Sequence, residues 1–410
     1  AAHARAEASA LRERQAAAAA AAAKSDTIKR MNDELRTPMQ ALIGAAEHLR
    51  RAGQRVLLVD KMGPANARAS SGGESRMTRG AYGPDALYTR MALESLREWK
   101  QLSDRSALPL FHAHGVLFFF DQMVDYARDS IAVHEELDLP LEVLDNAALT
   151  ARWPQIDFNG VHVGLFEPEF GALMARRAVQ ELVRRFVSRG GQYVQAHAAP
   201  GGPLEGGAEV RLDGERYSAD HVVYACGPWL GKVFPDLLAE RIFVTRQEIA
   251  FIAPPTGDER FEPAALPGWA DFNGGDLYYG FPNLEGRGFK IARDTHGAAF
   301  DPDTGDRRMS EEGVSLLRAF AARRFPALAA EPFTEFRVCQ YENSSNGDFL
   351  IDRHPEQPGV ILVGGGSGHG FKHGPEVGRM AAALALGRSE AADARFSLAS
   401  KATVHRREVL

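Results

Sequence analysis

Residues that can do chemistry gather in a glycine-rich stretch near the end of the chain, from Val360 to Gly374. Four apolar residues predict a short buried strand, and five glycines follow them within seven residues. Because glycine is costly in backbone entropy, this density indicates a place where the backbone closely approaches a ligand. The helical spacing after Pro375 puts a helix N-terminus at this turn, where free N–H groups can bind an anion or an electron-rich ring. Lys372 adds a positive charge, and a flexible loop with structural glycines is the alternative.

Two arginines and a lysine elsewhere also have side chains suited to binding or catalysis. Arg76 and Arg79 lie three residues apart in a segment of small polar residues, and fixed arginines bind carboxylates well. Solvated arginines on a surface loop are the alternative. Lys290 interrupts an apolar strand, and a lysine is rarely buried unless it has a function.

A helix and a strand that can position a nucleotide come early in the chain. Residues 38–53 have the apolar stripe of a helix, and the strand Val56–Val59 follows and ends at Asp60. Helix, strand and terminal acid form the second half of a dinucleotide-binding βαβ unit, in which the acid binds a ribose hydroxyl. The first half, an apolar strand running into Gly-x-Gly-x-x-Gly, is missing, because residues 29–36 contain five charged residues in eight.

The remaining patterns predict a mixture of helices and strands. Helices are predicted over residues 86–104, 175–188 and 310–324, and residues 122–153 are predicted to be mostly helical. Strands are predicted over 115–120, 210–212, 217–225, 336–341 and much of 241–300. This order predicts an α/β (α+β) protein, and 410 residues suffice for the cores of two domains.

Composition and charge exclude several classes of function. The net charge of −6 and the lack of a basic stripe with interleaved aromatic residues argue against nucleic-acid binding. No apolar run reaches the roughly 18 residues needed to span a bilayer, and no signal peptide is recognisable. The two cysteines do not make a disulfide framework, which suits a reducing compartment and predicts a cytoplasmic protein.

Residues 1–36 differ from the rest and are predicted to form a helical leader. They include a run of eight alanines, Ala16–Ala23, which favours a helix of low sequence complexity. The segment Glu34–Pro38 resembles the phosphoacceptor helix of sensor histidine kinases, but Asp33 stands where that family has its phosphorylated histidine. The ATP-binding boxes of that family are also missing, so kinase activity is not expected. The chain is expected to be a monomer, and the leader is either a solvated helix or a surface for self-association.

Sequence blocks between residues 53 and 397 resemble the D-amino-acid oxidase superfamily, and within it the group of monomeric sarcosine oxidase and N-methyltryptophan oxidase. In the family's order, they are Val56–Asp60, Ser70–Tyr82, Arg152–Pro154, Phe166–Pro168, Ala225–Trp229, Tyr278–Pro282, Gly288–Lys290, Cys339–Tyr341, Ile351–Pro355 and Gly364–Lys372. The resemblance implies a Rossmann-like FAD-binding domain joined to a substrate domain with a mixed β-sheet. The implied FAD-binding segments are 37–113, 160–240 and 336–397, and the substrate-domain segments are 114–159 and 241–335.

The resemblance also implies a role for each candidate residue around the substrate. Lys290 and Arg76 match residues beside the flavin ring, and the lysine is the one implicated in activating oxygen. Arg79 and Lys372 match the pair that binds the substrate carboxylate. The aromatic residues that match the lining of the substrate pocket are Tyr279 and Tyr341.

A second set of matches implies how the cofactor is held. Cys339 matches the cysteine that carries the flavin covalently through a thioether, and a small core residue is the alternative for this position. The glycine turn matches the turn that wraps the flavin ring. Metal binding is not expected, because His369 and His373 lack a carboxylate or cysteine partner at ligand spacing. The implied cofactor-binding residues are Asp60, Ser70, Ser71, Arg76, Cys339, Gly365, Gly366, Ser367, Gly368, His369, Gly370 and Lys372.

The reaction implied by the resemblance is flavin-dependent oxidation of a secondary or primary amine of an amino acid, with oxygen reduced to hydrogen peroxide. Sarcosine-type members carry a histidine four residues after the flavin lysine, but here that residue is Asp294. A carboxylate in this substrate-binding position favours a more cationic or polar amine than N-methylglycine. The alternative function is an inactive, flavin-poor homologue with a helical interaction leader, which the missing Gly-x-Gly-x-x-Gly turn motivates.

Overall fold

The computed structural model describes residues 40–388 and 393–402. The helices are α1 (Gln40–Arg51), α2 (Ala86–Asp104), α3 (Asp125–Glu136), α4 (Asn146–Arg152), α5 (Ala175–Ser188), α6 (Leu230–Val233), α7 (Pro235–Leu238), α8 (Glu311–Arg324) and α9 (Gly374–Ala385). Short 3-10 turns that bear on the site are Ser70–Gly72, Gly227–Trp229 and Gly370–His373.

The strands fall into an early and a late group. The early strands are β1 (Leu57–Asp60), β2 (Ser75–Met77), β3 (Phe111–His112), β4 (Val116–Phe120), β5 (Glu142–Asp145), β6 (Val163–Glu167), β7 (Ala172–Met174), β8 (Gln192–Gln195) and β9 (Ala198–Leu204). The late strands are β10 (Gly207–Leu212), β11 (Glu215–Ala219), β12 (Val222–Tyr224), β13 (Ile242–Ile252), β14 (Gly268–Asp271), β15 (Tyr278–Phe281), β16 (Phe289–Arg293), β17 (Phe333–Ser344), β18 (Leu350–Arg353) and β19 (Val360–Gly364).

One large sheet dominates the architecture. Its eight strands lie in the order β17-β13-β16-β15-β14-β4-β6-β5, and all neighbours are antiparallel except β14 and β4. The smaller sheets are β12-β19-β18, β1-β8, β2-β7-β3 and the meander β11-β10-β9. The parallel pairs β1-β8 and β12-β19 supply the Rossmann-like part, so the α/β (α+β) prediction is confirmed.

The predicted helices are confirmed, and one helical stretch contains a strand that was not predicted. The helices predicted over residues 86–104, 175–188 and 310–324 match α2, α5 and α8 to within one residue. Residues 122–153 are mostly helical, as predicted, through α3 and α4, with β5 between them. β5 hydrogen bonds along β6, so pairing with a neighbouring strand overrides the local helical pattern there.

The two faces of the eight-stranded sheet differ because side chains alternate along each strand. On the back face, Trp269 stacks on Phe289 and on Phe320 of α8, with 5.6 Å between ring centroids in both pairs. This tightly packed layer makes the sheet a rigid support for the opposite face. The residues of that opposite face include Ile249, Phe251, Tyr279, Ala292 and Cys339.

The N-terminal helix brings β1 close to the glycine-rich stretch. α1 ends at Arg51, and Gly53 follows it with φ of +84°, a left-handed conformation suited to a helix terminator. α1 packs tightly on α9, since a Cβ on Gly378 would lie 2.7 Å from the Cα of Gly44. In the described part of the chain, β1 pairs with β8 and with no other strand.

Several predictions concern residues outside the described part of the chain or are not tested by the fold. The leader of residues 1–36 and its kinase-like segment lie outside the described residues. The domain boundaries stay a prediction, and the large sheet combines strands of the expected substrate domain with β6 and β17. None of the described helices has the length and apolar character needed to cross a membrane.

Candidate active site

The glycine turn after β19 packs directly on β17. Gly368 has φ of +78°, and a Cβ at this position would lie 2.8 Å from the ring of Tyr341. A Cβ on Gly364 would lie 2.5 Å from Oε1 of Glu342. The Ser367 N–H donates to the Glu342 carbonyl oxygen at 2.7 Å. Residues without side chains are therefore required for this close approach.

Lys372 projects from the 3-10 turn that links the glycine turn to α9. Its side chain is buried, and its Nζ donates to the His369 carbonyl oxygen at 3.0 Å. The same Nζ lies 5.4 Å from the centre of the Tyr82 ring. The Lys372 carbonyl oxygen accepts a hydrogen bond from Nε1 of Trp99 on α2, at 2.9 Å. The backbone of the lysine is thus fixed to the helical layer while its ammonium group lies beside Tyr82.

Arg79 approaches the same tyrosine. Its guanidinium carbon lies 4.0 Å from the centre of the Tyr82 ring, which is a cation–π contact. It also donates to the Ala81 carbonyl oxygen and, at 3.0 Å, to the hydroxyl of Tyr126. Two cations therefore lie around one aromatic ring, an arrangement that suits the binding of a carboxylate.

Asp294 and Tyr341 lie within electrostatic reach of these cations. The Tyr341 hydroxyl donates to Oδ1 of Asp294 at 2.7 Å. Burial raises the pKa of Asp294, while the hydrogen bond from Tyr341 and the charges of Arg79 and Lys372 oppose the rise. All four line one end of a cavity of about 530 Å³, the main cavity. Its charged end consists of Arg79, Tyr82, Tyr279, Asp294, Tyr341 and Lys372.

Lys290 on β16 lines a smaller neighbouring cavity of about 170 Å³. The residue is 3 % exposed, its Nζ donates to the Ser75 carbonyl oxygen at 3.1 Å, and it lies 5.0 Å from the centre of the Phe281 ring. Burial lowers the pKa of Lys290 to about 7, and the charge of Arg76 adds to the effect. A buried lysine that titrates near neutral pH is typical of a functional site.

Arg76 and Cys339 line both cavities and form part of the wall between them. Arg76 donates to the Ser75 carbonyl oxygen at 2.7 Å and to the Ser70 carbonyl oxygen. The Cys339 thiol is half-buried and unpaired, with its Sγ 3.9 Å from the Ser70 carbonyl oxygen. A thiol at such a wall is accessible to a ligand, which a purely structural cysteine of the core would not be.

A second group of residues that line the main cavity, here called the polar end, consists of Ser70, Ser71, Glu342, Gly364 and Gly366. The Ser70 hydroxyl donates to the Gln340 carbonyl oxygen at 2.9 Å. In contrast, Oγ of Ser71 and Oε1 of Glu342 are buried without a hydrogen-bond partner among the described residues. Buried polar atoms are nearly always paired, so these atoms mark a place where a ligand supplies hydrogen bonds.

Asp60 does not line the main cavity as the structure describes it. Its Oδ1 accepts hydrogen bonds from the N–H groups of Met62 at 2.8 Å and Gly63 at 2.6 Å. Its Oδ2 is buried and lacks a partner among the described residues, and burial raises the pKa of Asp60 to about 6. Asp60 and Glu342 both contribute to raising the pKa of Cys226, so Asp60 lies beyond the polar end. The ribose contact of Asp60 stays a prediction.

Apart from Asp60, the structure brings the predicted residues together around the two cavities. Lys290 lines the smaller one, and Gly365 lies in the glycine turn between two residues of the main-cavity wall. The predicted residues that line the main cavity are Ser70, Ser71, Arg76, Arg79, Tyr279, Asp294, Cys339, Tyr341, Gly366, Ser367, Gly368, His369, Gly370 and Lys372. Their individual roles stay predictions.

The residues of the main-cavity wall that were not predicted from the sequence include Tyr82, Tyr126, Phe272 and Glu342. Tyr82 and Tyr126 hold Arg79, and the only sequence signal for Tyr82 is its position three residues after that arginine. Phe272 packs on Tyr126 with 5.6 Å between ring centroids. Glu342 directly follows Tyr341, but an acid on a strand has no pattern of its own that indicates a site.

The residues of the main cavity fit a flavin ring and the polyol chain attached to it. The glycine turn offers backbone groups at close approach, and Cys339 offers a thiol at the wall. Unpaired oxygens at the polar end offer hydrogen bonds to hydroxyl groups. The described chain lacks the Gly-x-Gly-x-x-Gly turn that binds pyrophosphate in Rossmann folds.

Two Rossmann-like parallel strand pairs beside a large mixed sheet, with a glycine turn and a buried lysine at the cavities, are typical of a cofactor-dependent oxidoreductase. The chain belongs to the DAO family, FAD dependent oxidoreductases, whose model matches residues 43–384. The resemblance found in the sequence, the oxidoreductase class and the FAD requirement are thereby confirmed.

Named relatives support a finer comparison. Over 348 residues, the chain is 27 % identical to monomeric sarcosine oxidase of Bacillus sp. (strain B-0618), which covers 84 % of this chain and 89 % of the relative. Over 376 residues, it is 29 % identical to N-methyl-L-tryptophan oxidase of Yersinia pseudotuberculosis serotype O:1b (strain IP 31758), with 87 % and 95 % covered.

Solved structures share the fold at lower sequence identity. NikD, described as an unusual amino acid oxidase essential for nikkomycin biosynthesis, superposes with a TM-score of 0.72 at 21 % identity, covering 89 % of this chain and 95 % of NikD. L-proline dehydrogenase from P. horikoshii superposes with a TM-score of 0.75 at 17 % identity, covering 88 % and 96 %. These similarities establish the fold.

Proposed function

We propose that the protein oxidises a secondary or primary amine of an amino acid with FAD and passes the electrons to oxygen, which forms hydrogen peroxide. The observation that carries the proposal is the charged end of the main cavity. There Arg79 and Lys372 lie at 4.0 Å and 5.4 Å from the centre of one ring, that of Tyr82. The relatives named sarcosine oxidase and N-methyl-L-tryptophan oxidase support an amine with a carboxylate as substrate.

The two cations hold the substrate carboxylate and thereby orient the molecule. Arg79 is fixed by Tyr82, Tyr126 and the Ala81 carbonyl oxygen, so few of its rotamers are left to lose on binding. Lys372 is anchored next to it through the His369 carbonyl oxygen. Holding the carboxylate fixes the direction of the neighbouring C–H bond, and such orientation supplies much of the catalysis in reactions of this kind.

Asp294 and Tyr341 are proposed to receive the amine end of the substrate. Asp294 accepts a hydrogen bond from Tyr341 at 2.7 Å and faces the same cations as the carboxylate would. A substrate amine that carries a second polar or cationic group can hydrogen bond to Asp294 and replace part of the pairing between Asp294 and Tyr341. The specificity is therefore expected to differ from that for N-methylglycine.

The chain supplies placement and charge, while FAD, when bound, supplies the chemistry of accepting a hydride and returning two electrons to oxygen. Arg76, Ser70, Ser71 and the glycine turn would hold it. Lys290 places a positive charge where negative charge develops on oxygen during its reduction. Cys339 lies at the wall between the cavities, where a covalent thioether to the flavin would form.

The cellular setting follows from the cysteines and the relatives. Cys226 and Cys339 are both unpaired, which supports a reducing compartment, and we assign the protein to the cytoplasm. The relative named monomeric sarcosine oxidase supports a monomer, with the amine and oxygen as its small-molecule reactants. The missing phosphate-binding turn is the observation that favours the alternative, an inactive and flavin-poor homologue whose leader interacts with a partner.

Hydrogen peroxide formation distinguishes the two functions. Purified protein is incubated with FAD, desalted and supplied with N-methyl amino acids that differ in side-chain charge, and peroxide is measured with a coupled peroxidase. We expect peroxide with at least one of these amines and none with the corresponding deaminated acids. Flavin-loaded protein that produces no peroxide from any amine of the panel would contradict the proposed activity.

Covalent attachment at Cys339 has a separate test. After acid precipitation of the flavin-loaded protein, a yellow pellet indicates covalent flavin and a yellow supernatant indicates reversible binding. Cys339→Ala should move the colour from pellet to supernatant. Cys226→Ala is the matched control, because that cysteine is also unpaired and half-buried, and it should leave the pellet yellow. A yellow pellet with Cys339→Ala would show that the attachment site is elsewhere.

A further inference from the structure

Glu342 is a buried carboxyl group with one oxygen that the described residues leave unsatisfied. The residue is 8 % exposed, and its Oε1 has no hydrogen-bond partner among them. It lines the polar end of the main cavity. Burying a polar atom without a hydrogen bond costs stability, so such an atom persists where a ligand completes its bonding.

The surroundings of Glu342 indicate what this ligand is. Burial raises the pKa of Glu342 to about 8, and the nearby N–H groups of Gly365 and Gly366 oppose this rise. No described lysine or arginine contributes to that shift. Glu342 acts on the pKa of the Cys226 thiol, and the unpaired Oγ of Ser71 belongs to a residue that lines the same cavity. A phosphate would lack a counterion here, whereas hydroxyl groups can both donate to and accept from these atoms.

The position of Glu342 along β17 fits one particular set of hydroxyl groups. Glu342 follows Cys339 by three residues on an extended strand, which corresponds to about 10 Å. The polyol chain leaves a nitrogen of the central flavin ring and extends for five carbons, so a flavin with its methylated edge at Cys339 can place a hydroxyl group of the chain about this far from the cysteine. Cys339 and Glu342 both line the main cavity. We infer that Glu342 binds a hydroxyl group of the ribityl chain of the flavin. The inference rests on the proposed flavin site.

The test compares two flavins that differ only in the ribityl chain. Riboflavin carries the chain, and lumiflavin has a methyl group in its place. Both are titrated against flavin-free protein in a Cys339→Ser background, so that binding is reversible, and quenching of flavin fluorescence gives the Kd. Glu342→Leu should weaken riboflavin binding by about tenfold, or 1.4 kcal/mol, and should change lumiflavin binding by less than about twofold. Glu342→Gln should retain most of the riboflavin affinity, because its amide also donates and accepts.

Each result decides between a role in the ribityl site and a merely structural role. Equal loss for both flavins, or riboflavin binding as tight in Glu342→Leu as in the parent protein, overturns the inference. If riboflavin binds as tightly to Glu342→Leu as to the parent protein, peroxide formation by the parent protein still supports the proposed function. A parent protein that binds neither flavin overturns both.

Thermal unfolding of the flavin-free protein gives a readout that does not depend on binding. Glu342→Leu removes a buried, unpaired carboxyl, so we expect a higher melting temperature by a few degrees. Glu376→Leu is the matched control, since Glu376 is also 8 % exposed but is paired with Arg379 at 2.7 Å. This control should melt at a lower temperature and bind riboflavin like the parent protein. A lower melting temperature for Glu342→Leu would assign it a structural role.

Discussion

The charged end and the polar end of the main cavity satisfy their polar groups in different ways. At the charged end, Arg79, Lys372 and Asp294 all have partners within the protein: a tyrosine ring and hydroxyl, a carbonyl oxygen and the Tyr341 hydroxyl. At the polar end and just beyond it, buried oxygens lack partners among the described residues, and these are Oγ of Ser71, Oε1 of Glu342 and Oδ2 of Asp60.

This difference indicates what kind of ligand each end of the cavity binds. The charged end is preorganised, so a small substrate can enter and leave without rearranging its side chains. The polar end holds unmet hydrogen bonds in a buried setting, which suits a ligand that stays bound.

The largest effect is expected for Lys290, the residue proposed to place a positive charge where oxygen is reduced. Lys290→Met should slow reoxidation of the reduced enzyme by oxygen by about 10²–10³-fold, because one preorganised charge is lost. Reduction by the amine should change little, and stopped-flow absorbance measures both steps. Because the pKa of Lys290 is about 7, reoxidation by the parent enzyme should fall as the pH rises through 7 and should lose that dependence in the variant.

A second buried lysine provides the control for this prediction. Lys401 is 2 % exposed, and its Nζ donates to the Arg395 carbonyl oxygen at 2.7 Å. Lys401→Met should leave reoxidation unchanged. Equal slowing in both variants would mean that loss of a buried lysine, and not charge beside the flavin, is responsible.

A somewhat smaller effect is expected at Arg79, which tests whether the charged end holds a carboxylate. Arg79→Met should raise KM for the amino acid about 100-fold, since one partner of a buried charge pair is removed. The corresponding amino amide should show no such change. Arg395→Met is the control, because Arg395 lines the same cavity but is paired with Asp85 at 2.9 Å. A similar rise in KM with the amide would contradict carboxylate binding.

The next effect is on the stability of the folded protein and concerns Asp60, which lies beyond the polar end. Because the pKa of Asp60 is raised from 3.8 to about 6, the folded protein binds this proton more tightly than the unfolded chain. Stability is therefore lost as the pH rises from 4 through 6. Asp60→Asn should raise the free energy of unfolding of the flavin-free protein by about 1–3 kcal/mol at pH 8 and by little at pH 4.

Urea unfolding at both pH values measures the difference in free energy of unfolding between Asp60→Asn and the parent protein. The same measurement with bound FAD tests the cause of this difference. Bound FAD should narrow the gap between Asp60→Asn and the parent protein, because a ribose hydroxyl would satisfy the carboxylate of the parent. A gap that stays the same with FAD would show that Asp60 serves only the fold.

The smallest effect is expected at Asp294 and concerns the choice between substrates. Asp294→His restores the residue type of sarcosine-type members and should shift the ratio of kcat/KM about tenfold toward N-methylglycine and away from a cationic amine. Steady-state kinetics with the two substrates measure this ratio. An unchanged ratio would mean that Asp294 only anchors Tyr341 and does not face the substrate.

Local sequence patterns predicted much of this architecture. An element that they did not predict depends on pairing with residues far away in the sequence. The Trp99 helix shows its apolar stripe in the sequence, and the strand Val360–Val363 is a continuous apolar run. In contrast, Glu142–Asp145 is largely exposed and has only two apolar residues between two acids, so its hydrogen bonds to β6 make it a strand. Its residues carry no periodic signal that a single sequence can reveal.

The site was predictable where a residue breaks a local rule. Lys290 among apolar residues and five glycines in one turn both contradict ordinary propensity, and such conflicts mark functional positions. Glu342 and Tyr82 break no local rule, because an acid on a strand and a tyrosine after a loop are common. Their importance comes from burial and from neighbours far apart in sequence, such as Gly365 and Lys372.

The most direct test of the central claim is the visible spectrum of the purified protein after incubation with FAD and removal of the excess. We expect a retained flavin band at about 450 nm, which bleaches when an N-methyl amino acid is added without oxygen and returns when oxygen is admitted. A protein that retains no band, despite its glycine turn and Cys339, would contradict the account.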